Sequence, residues 1–185
     1  MQLFPGSGIQ VTMLTTFLSV MILAGPTYKP TGMSIQFTMS SGKKFVITTD
    51  PKGSPKTSAQ IISLVKKKFY DGIRIHRVED WVVQWGDPVT KKGNDQPGAG
   101  RGGSGTPLPF EDNPASFLKG VVGIASTGAK LGGDSQLFVV LRDSAFLDHS
   151  YAIVGKVTSG MDVVAAFKTN DQIKNAIVLS VKKHK

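Results

Sequence analysis

The sequence predicts a mainly β domain, a closed β-barrel with helices covering its ends. The first observation is the frequency of turns, since the 185 residues include 21 glycines and 10 prolines, which is many for a helical bundle. The second is a series of short apolar runs bounded by turn residues. The third is that two segments have helical character, one early and one late. This length fits one domain with a sizeable core.

The first two strands are predicted to form a hairpin. Ile35, Phe37 and Met39 alternate with polar residues in SIQFTM, which is the pattern of a strand with one buried face. The turn SSGK follows, and KFVITT supplies the second strand.

The clearest helix follows the hairpin, over SPKTSAQIISLVKKKFYDG. Ser54 is placed to cap its N-terminus, and Pro55 suits the first helical position, where a missing N–H costs nothing. Apolar residues recur at helical spacing, three lysines occupy the last turn, and Gly72 follows them.

Six further strand-like runs and a second helix complete the predicted domain. IRIHRV and WVVQW come first, and residues 86–109 then form a long loop rich in Gly and Pro. GVVGIAS, SQLFVVL and YAIVGKV are three more strand-like runs. MDVVAAFK predicts a short helix, and AIVLSVKK predicts a closing strand.

Composition excludes several kinds of site. The chain has no cysteine, so it has no disulfide, thiolate nucleophile or cysteine zinc site. His76, His149 and His184 have neither a second histidine at helical spacing nor a carboxylate cluster, so we expect no metal and no cofactor. The net charge of +9 fits a solvated basic surface. Because no basic run has interleaved aromatic residues, we expect no specific nucleic acid partner.

The N-terminus differs from the rest of the chain. Residues 11–25, VTMLTTFLSVMILAG, are mostly apolar and have the length of a signal-peptide apolar region, but no Lys or Arg precedes Lys29. We interpret residues 1–33 as an export or anchor segment with a linker, which favours a periplasmic, secreted or membrane-anchored protein. A mis-assigned start, an extra strand and a cytoplasmic location remain alternatives. The folded domain is predicted over residues 34–185.

Two glycine-rich motifs lack the context that their chemistry requires. GAGRGG at residues 98–103 matches the dinucleotide pattern G-x-G-x-x-G, but it is flanked by loops instead of a strand and a helix. We interpret it as a flexible or tightly turning loop. GGSGT around Ser104 lacks the last glycine of a nucleophile elbow.

Arg77 stands inside an apolar run, where a buried guanidinium needs partners. It is either an ion-paired structural residue or a residue held ready for a ligand. With no acid–base pair, nucleophile or metal ligands elsewhere, such a site binds and polarises instead of cleaving.

Several motifs resemble those of the cyclophilin-type peptidyl-prolyl isomerases, in the same order. They are FYDGIRIHRV with QWGDP, FEDN, SQLFVVL, FLDHSYAIVGKV and GMDVV, and the resemblance runs from about Ser34 to the C-terminus. It implies an eight-stranded antiparallel barrel capped by two helices, with an exposed groove. It also implies the activity, which is acceleration of the cis–trans interconversion of the bond before proline.

The resemblance implies the site residues as well. Arg77 matches the catalytic arginine of the family, and His76 matches the histidine beside it. Gln84 matches a glutamine that binds the substrate backbone, and Phe138 matches the phenylalanine that forms the floor of the proline pocket. The matching substrate-binding positions are Trp81, Val82, Gly98, Ala125, Ser126, Thr127, Gln136, Phe146, Leu147 and Tyr151.

Some of these positions depart from the family pattern. Trp81 and Val82 replace the usual Phe and Met, and the connection that contains them is one residue shorter than is common. Ser126 replaces an asparagine. Phe146 and Tyr151 stand where animal members often carry Trp and His. These two replacements resemble the bacterial branch of the family. We therefore expect cyclosporin-type inhibitors to bind with reduced affinity.

The resemblance and the residues lead to one function and one alternative. The partners are proline-containing polypeptides, and we expect a monomer. In the predicted mechanism Arg77 supplies a fixed donor fork to the proline amide above an apolar pocket. The alternative is a proline-peptide-binding module or chaperone that keeps the groove but turns over poorly.

Overall fold

The computed structural model describes residues 28–180 of the chain, and eight strands and two α-helices lie in this part. The strands are β1 (Ser34–Met39), β2 (Lys44–Thr49), β3 (Arg77–Val78), β4 (Val82–Trp85), β5 (Val121–Ile124), β6 (Leu137–Val140), β7 (Ile153–Ser159) and β8 (Ile173–Val178). The helices are α1 (Pro55–Lys66) and α2 (Met161–Ala165), and short 3-10 turns cover Pro88–Lys92 and Ala145–Leu147. The predicted mainly β class with two helices is confirmed.

The strands form one sheet in the order β3-β4-β6-β5-β7-β2-β1-β8, and every neighbouring pair is antiparallel. In the predicted hairpin, Ile35 lies opposite Ile47 and Phe37 opposite Phe45. These opposed side chains are all fully buried, so the alternation in SIQFTM reports the inner face of the sheet.

The sheet curls into a half-barrel, and the described residues contain no ladder between its edge strands β3 and β8. The chain before β3 instead bonds to the chain entering β8. Gly72 N donates to Ile173 O and Ile75 N donates to Asp171 O, both at 2.8 Å. The continuous closure that we expected is therefore not observed. The strand predicted over IRIHRV is shortened to Arg77–Val78. The backbone before it forms an isolated bridge at Arg74 and no continuous ladder.

Helix α1 begins at Pro55, as predicted, but its N-terminus is capped from a distant loop. Ser54 occupies the N-cap position without a side-chain capping bond. The carboxylate of Glu111 accepts from Lys56 N at 2.9 Å and from Thr57 N at 2.7 Å. A carboxylate at this end of a helix satisfies free N–H groups and interacts favourably with the helix dipole.

Two apolar clusters lie on opposite faces of the central strands. The inner cluster includes a stacked pair, Phe37 and Phe45, with ring centroids 4.9 Å apart, and Trp85 packs edge-on against Phe37 at 5.9 Å. The outer cluster comprises Val82, Phe117, Val121, Phe138, Val140, Leu147 and Ile153. Because successive strand residues point to opposite faces, Leu137 belongs to the inner cluster and Phe138 to the outer one. The outer cluster positions the site described below.

The segment before β1 contacts the sheet. The Tyr28 hydroxyl donates to Asp50 Oδ2 at 2.9 Å, and Gly32 N donates to Thr49 O at 2.8 Å. Burial and the Asp50 carboxylate raise the pKa of Tyr28. Within residues 28–180 we find no helix with the length and apolarity needed to cross a membrane. The apolar run at residues 11–25, which is the basis of the predicted export or anchor segment, and His184 lie outside the described residues.

Candidate active site

Strand pairing brings the three central predicted residues together. Arg77 on β3 lies opposite Gln84 on β4, and Gln84 lies opposite Phe138 on β6. Directly opposed residues on neighbouring strands point to the same face, so the three side chains form one row across the outer face. Gly123 is the next residue in this row, and a Cβ there would lie 2.2 Å from Phe138 Cζ. The glycine therefore leaves room for the Phe138 ring.

The row borders a cavity of about 200 Å³ in the outer face, and we call it the outer-face groove. It is lined by Arg77, Trp81, Val82, Gln84, Ala125, Ser126, Phe138, Leu147 and Tyr151. The structure thus places nine of the predicted site residues around one cavity.

The floor of the groove is apolar and aromatic. Phe138 is 5 % exposed and stacks on the buried Phe117, with ring centroids 5.5 Å apart and planes inclined by 17°. Tyr151 packs edge-on against Phe138 at 5.7 Å. Val82 and Leu147 complete the floor and are themselves buried. Such a surface suits a small apolar ring.

A chain of side-chain hydrogen bonds begins at the wall of the groove and leads away from it. Arg77 Nη1 donates to Gln84 Oε1 at 3.4 Å, and Gln84 Nε2 donates to Gln136 Oε1 at 2.7 Å. Gln136 Nε2 in turn donates to Gly100 O at 3.1 Å and to Gly102 O at 2.8 Å. This chain fixes the orientation of Gln84 and links the groove to the glycine-rich loop.

The N–H groups of the glycine-rich loop bind a buried carboxylate of the protein itself, and the loop lies between other loops instead of between a strand and a helix. Asp87, fully buried, accepts from Val89 N at 2.8 Å, Gly100 N at 2.5 Å and Gly102 N at 3.1 Å. A Cβ on Gly102 would lie 2.3 Å from Asp87 Oδ1, so the loop packs too tightly there for any side chain. Gly98 has a positive φ of 83° and lies outside the lining of the groove.

Arg77 has a close partner that the sequence interpretation missed. Its Nε donates to Glu79 Oε1 at 2.7 Å, and its guanidinium carbon lies 5.4 Å from the centre of the Trp81 ring. Glu79 Oε2 also accepts from Trp81 Nε1 at 2.9 Å. The hydrogen bond from Arg77 holds the pKa of Glu79 below its ordinary value. A sequence signal existed, since an acidic residue stands two positions after the arginine in the shortened connection.

His76, predicted beside Arg77, does not line the groove. Its backbone N donates to Gln84 O at 3.2 Å. Both ring nitrogens are buried and have no hydrogen-bond partner in the described part of the chain. Burial lowers the pKa of His76; the Asp87 charge and the nearby Gln136 side chain oppose this shift, and the charge of Arg77 adds to it.

The remaining predicted residues surround the groove. Thr127 and Gln136 line an adjoining cavity of about 540 Å³, which shares Gln84, Ala125 and Ser126 with the groove. The Ser126 hydroxyl donates to Gly128 O at 2.7 Å and is therefore engaged within its own loop. Phe146 is 70 % exposed and packs edge-on against Trp81 at 5.4 Å, on the rim. Among residues 28–180, no group of three or more acidic or histidine side chains could hold a metal ion.

Comparison with known proteins identifies what this arrangement resembles. The family model described as "Cyclophilin type peptidyl-prolyl cis-trans isomerase/CLD" matches residues 34–183. A protein of Brucella abortus named "Probable peptidyl-prolyl cis-trans isomerase" is 38% identical over 133 residues, 69% of this chain and 68% of the relative. Peptidyl-prolyl cis-trans isomerase B of Bacillus subtilis is 32% identical over 145 residues, 77% of this chain and 95% of the relative.

Solved structures have the same fold. A crystal structure of a cyclophilin-type peptidyl-prolyl cis-trans isomerase from Cryptosporidium parvum superposes with a TM-score of 0.68 at 20% identity, covering 80% of this chain and 98% of that one. A structure of the same protein in the presence of the dipeptide Ala-Pro gives a TM-score of 0.66.

Proposed function

The chain belongs to the cyclophilin-type peptidyl-prolyl cis-trans isomerase family, and we propose that its outer-face groove accelerates rotation about Xaa-Pro bonds in peptides and folding proteins. This reaction makes and breaks no covalent bond. The peptide bond resists rotation by about 18–20 kcal/mol because the nitrogen lone pair is delocalised into the carbonyl. Before proline the two isomers are close in energy, and uncatalysed exchange takes tens of seconds. The site therefore needs only to lower the barrier.

The observation that carries the proposal is the meeting of an apolar floor and a cationic donor at one small cavity. Phe138, Val82 and Leu147 offer a buried surface to the proline ring. Arg77 stands on the rim of the same cavity with its guanidinium partly exposed. A proline held on this floor would present its amide to the arginine.

Arg77 acts mainly on the transition state in this mechanism. As the bond twists, the proline nitrogen loses its delocalisation and can accept a hydrogen bond that it does not accept in either ground state. A donor already fixed in place favours that state over the two planar isomers. The guanidinium suits the task because it is planar, always charged and carries several donors in a rigid fork. Gln84, oriented by Gln136, is the group we assign to the substrate backbone, and His76 has a supporting role through its backbone bond to Gln84.

The test is Arg77→Ala with a proline tetrapeptide as substrate. Removing one preorganised donor costs roughly 10²–10³ in rate, and we expect about 10² because the groove is open. Arg77→Lys should recover only part of the loss, since lysine lacks the planar fork. The readouts are kcat/KM, peptide affinity and a melting curve for each variant.

Arg142→Ala is the matched control, because that exposed arginine pairs with Asp80 at 3.0 Å and does not line the groove. It should turn over normally. Near-normal turnover in Arg77→Ala, or loss explained by unfolding alone, would remove Arg77 from the mechanism.

A second candidate function is proline-peptide binding or chaperone action with weak turnover. The Ser126 hydroxyl favours it, because its bond to Gly128 O leaves one donor fewer for a substrate backbone. The same assay separates the two functions. A binder would retain peptide affinity while the wild-type rate stays close to the uncatalysed one.

A further inference from the structure

The connection between β3 and β4 places one carboxylate against two side chains of the groove. Each oxygen of Glu79 has its own donor: Oε1 accepts from Arg77 Nε at 2.7 Å, and Oε2 accepts from Trp81 Nε1 at 2.9 Å. Both partners line the groove, whereas Glu79 does not. The carboxylate therefore bridges two groove residues from outside.

The guanidinium of Arg77 is held from three directions. Glu79 binds its Nε, the Trp81 ring lies 5.4 Å from its central carbon, and Gln84 accepts from its Nη1 at 3.4 Å. The Gln84 contact is long for a hydrogen bond, and the Trp81 ring is itself fixed by Glu79. Of these three contacts, the hydrogen bond to Glu79 is the shortest and therefore constrains the guanidinium most.

We propose that Glu79 is a positioning residue, which fixes Arg77 so that its remaining N–H groups face the bound prolyl amide. The inference rests on the proposed function, in which Arg77 is the donor to that amide. The Arg77 side chain is 40 % exposed and Glu79 is 44 % exposed, and ion pairs this exposed contribute little to folding stability. Their contact matters instead because a long arginine side chain otherwise samples many rotamers.

Glu79→Gln tests the proposal, because it keeps the size of the side chain but removes the charge and one acceptor. Gln can accept one of the two donors and presents an N–H to the other. We expect kcat and kcat/KM to fall together by about three- to tenfold, the factor for releasing one immobilised side chain, with little change in KM. Asp80→Asn is the matched control. Asp80 pairs with Arg142 at 3.0 Å, whereas the acidic partner of Arg77 is Glu79, so this equal change of charge should leave turnover unchanged.

Tryptophan fluorescence reports whether Glu79 holds the Trp81 ring in place. The chain has two tryptophans, and Trp85 is fully buried, so acrylamide quenching reports Trp81. Glu79→Gln should increase that quenching because the indole loses its carboxylate partner, whereas Asp80→Asn should not. The melting temperature should barely change in either variant.

A double-mutant cycle with Arg77→Ala completes the experiment. If Glu79 acts through Arg77, then Glu79→Gln should have no further effect on turnover in the Arg77→Ala background. The inference is overturned if Glu79→Gln is as active as the wild type or more active, or if it lowers turnover equally without Arg77. Normal turnover in Arg77→Ala alone would instead overturn the proposed function, so the two failures are distinguishable.

Discussion

At the scale of single residues, neighbours decide what an arginine or a phenylalanine does. Arg77 alone would be an ordinary ion-pair residue, and it does form an ion pair with Glu79. Arg77 is also the cross-strand partner of Gln84, and Gln84 is the cross-strand partner of Phe138. This pairing puts the same arginine at the edge of an apolar cavity. The register of three strands thus brings these residue types together at the candidate site.

Phe146 leads to a prediction about inhibitors. Its exposed ring packs on Trp81 at the rim but offers no N–H donor, unlike the Trp that we matched to this position from animal members of the family. One hydrogen bond is worth about 1 kcal/mol, or roughly a fivefold change in affinity. We expect Phe146→Trp to tighten binding of a cyclosporin-type inhibitor by that factor, measured by calorimetry. Phe146→Leu, which also lacks a donor, should not tighten it. Equal affinity of the wild type and Phe146→Trp would show that this rim residue does not face the inhibitor.

At the scale of elements, the start of α1 depends on a residue far along the chain. Pro55 at the first helical position was predictable from local sequence, and the structure confirms it. The capping group was not, because Glu111 lies 54 residues from Thr57. Local patterns show where a helix can begin, whereas tertiary packing decides which group satisfies its free N–H donors.

Glu111 therefore has a predicted effect on stability. Glu111→Gln removes the charge at the helix N-terminus and leaves one good acceptor for two N–H groups. We expect a loss of about 1 kcal/mol, or a melting temperature roughly 2–4 °C lower for a domain of this size. Asp112→Asn is the control, since Asp112 is exposed and pairs with His149 at 2.9 Å on the surface. A drop in Asp112→Asn as large as that in Glu111→Gln would point to general charge loss and not to the cap.

The short strand β3 shows the limit of pattern alone at this scale. Ile73 and Ile75 are fully buried, so the apolar pattern of IRIHRV was a correct guide to burial. It was a poor guide to pairing, because the backbone there bonds to the chain entering β8 and forms no ladder. The alternation of apolar residues shows which side chains are buried. The hydrogen-bond partners of the backbone depend on where the chain around residues 171–173 runs, which this pattern does not contain.

At the scale of the whole molecule, the sequence predicted the class and most of the groove but not its supports. Family motifs located the nine residues that the structure gathers around one cavity. The supporting roles of Glu79 and Asp87 were not predicted, although Asp87 stands in the motif QWGDP, because those roles depend on the groups that the fold brings to them. Closure of the barrel also depends on long-range pairing, and the half-barrel differs from the expectation there.

His76 links the pH of the solution to the stability of the molecule. Its ring nitrogens are buried and have no hydrogen-bond partner among residues 28–180, and burial lowers its pKa in the folded protein. In the unfolded chain a histidine titrates near 6.5, so the unfolded state binds the proton first as the pH falls. The stabilisation from a neutral His76 is therefore complete above about pH 6.5 and decreases as the pH falls through that value toward the folded-state pKa.

We expect the melting temperature to fall between pH 7.5 and pH 5, a window in which ordinary carboxylates stay ionised. In His76→Gln this slope should be clearly smaller, because the group that takes up the proton on unfolding is gone. His149→Gln is the control for the loss of a histidine outside the buried site, since His149 lies exposed on the surface beside Asp112. The measurement is a set of melting curves at half-unit pH steps for the three proteins. Parallel pH profiles for the wild type and His76→Gln would mean that the buried imidazole does not carry the acid sensitivity.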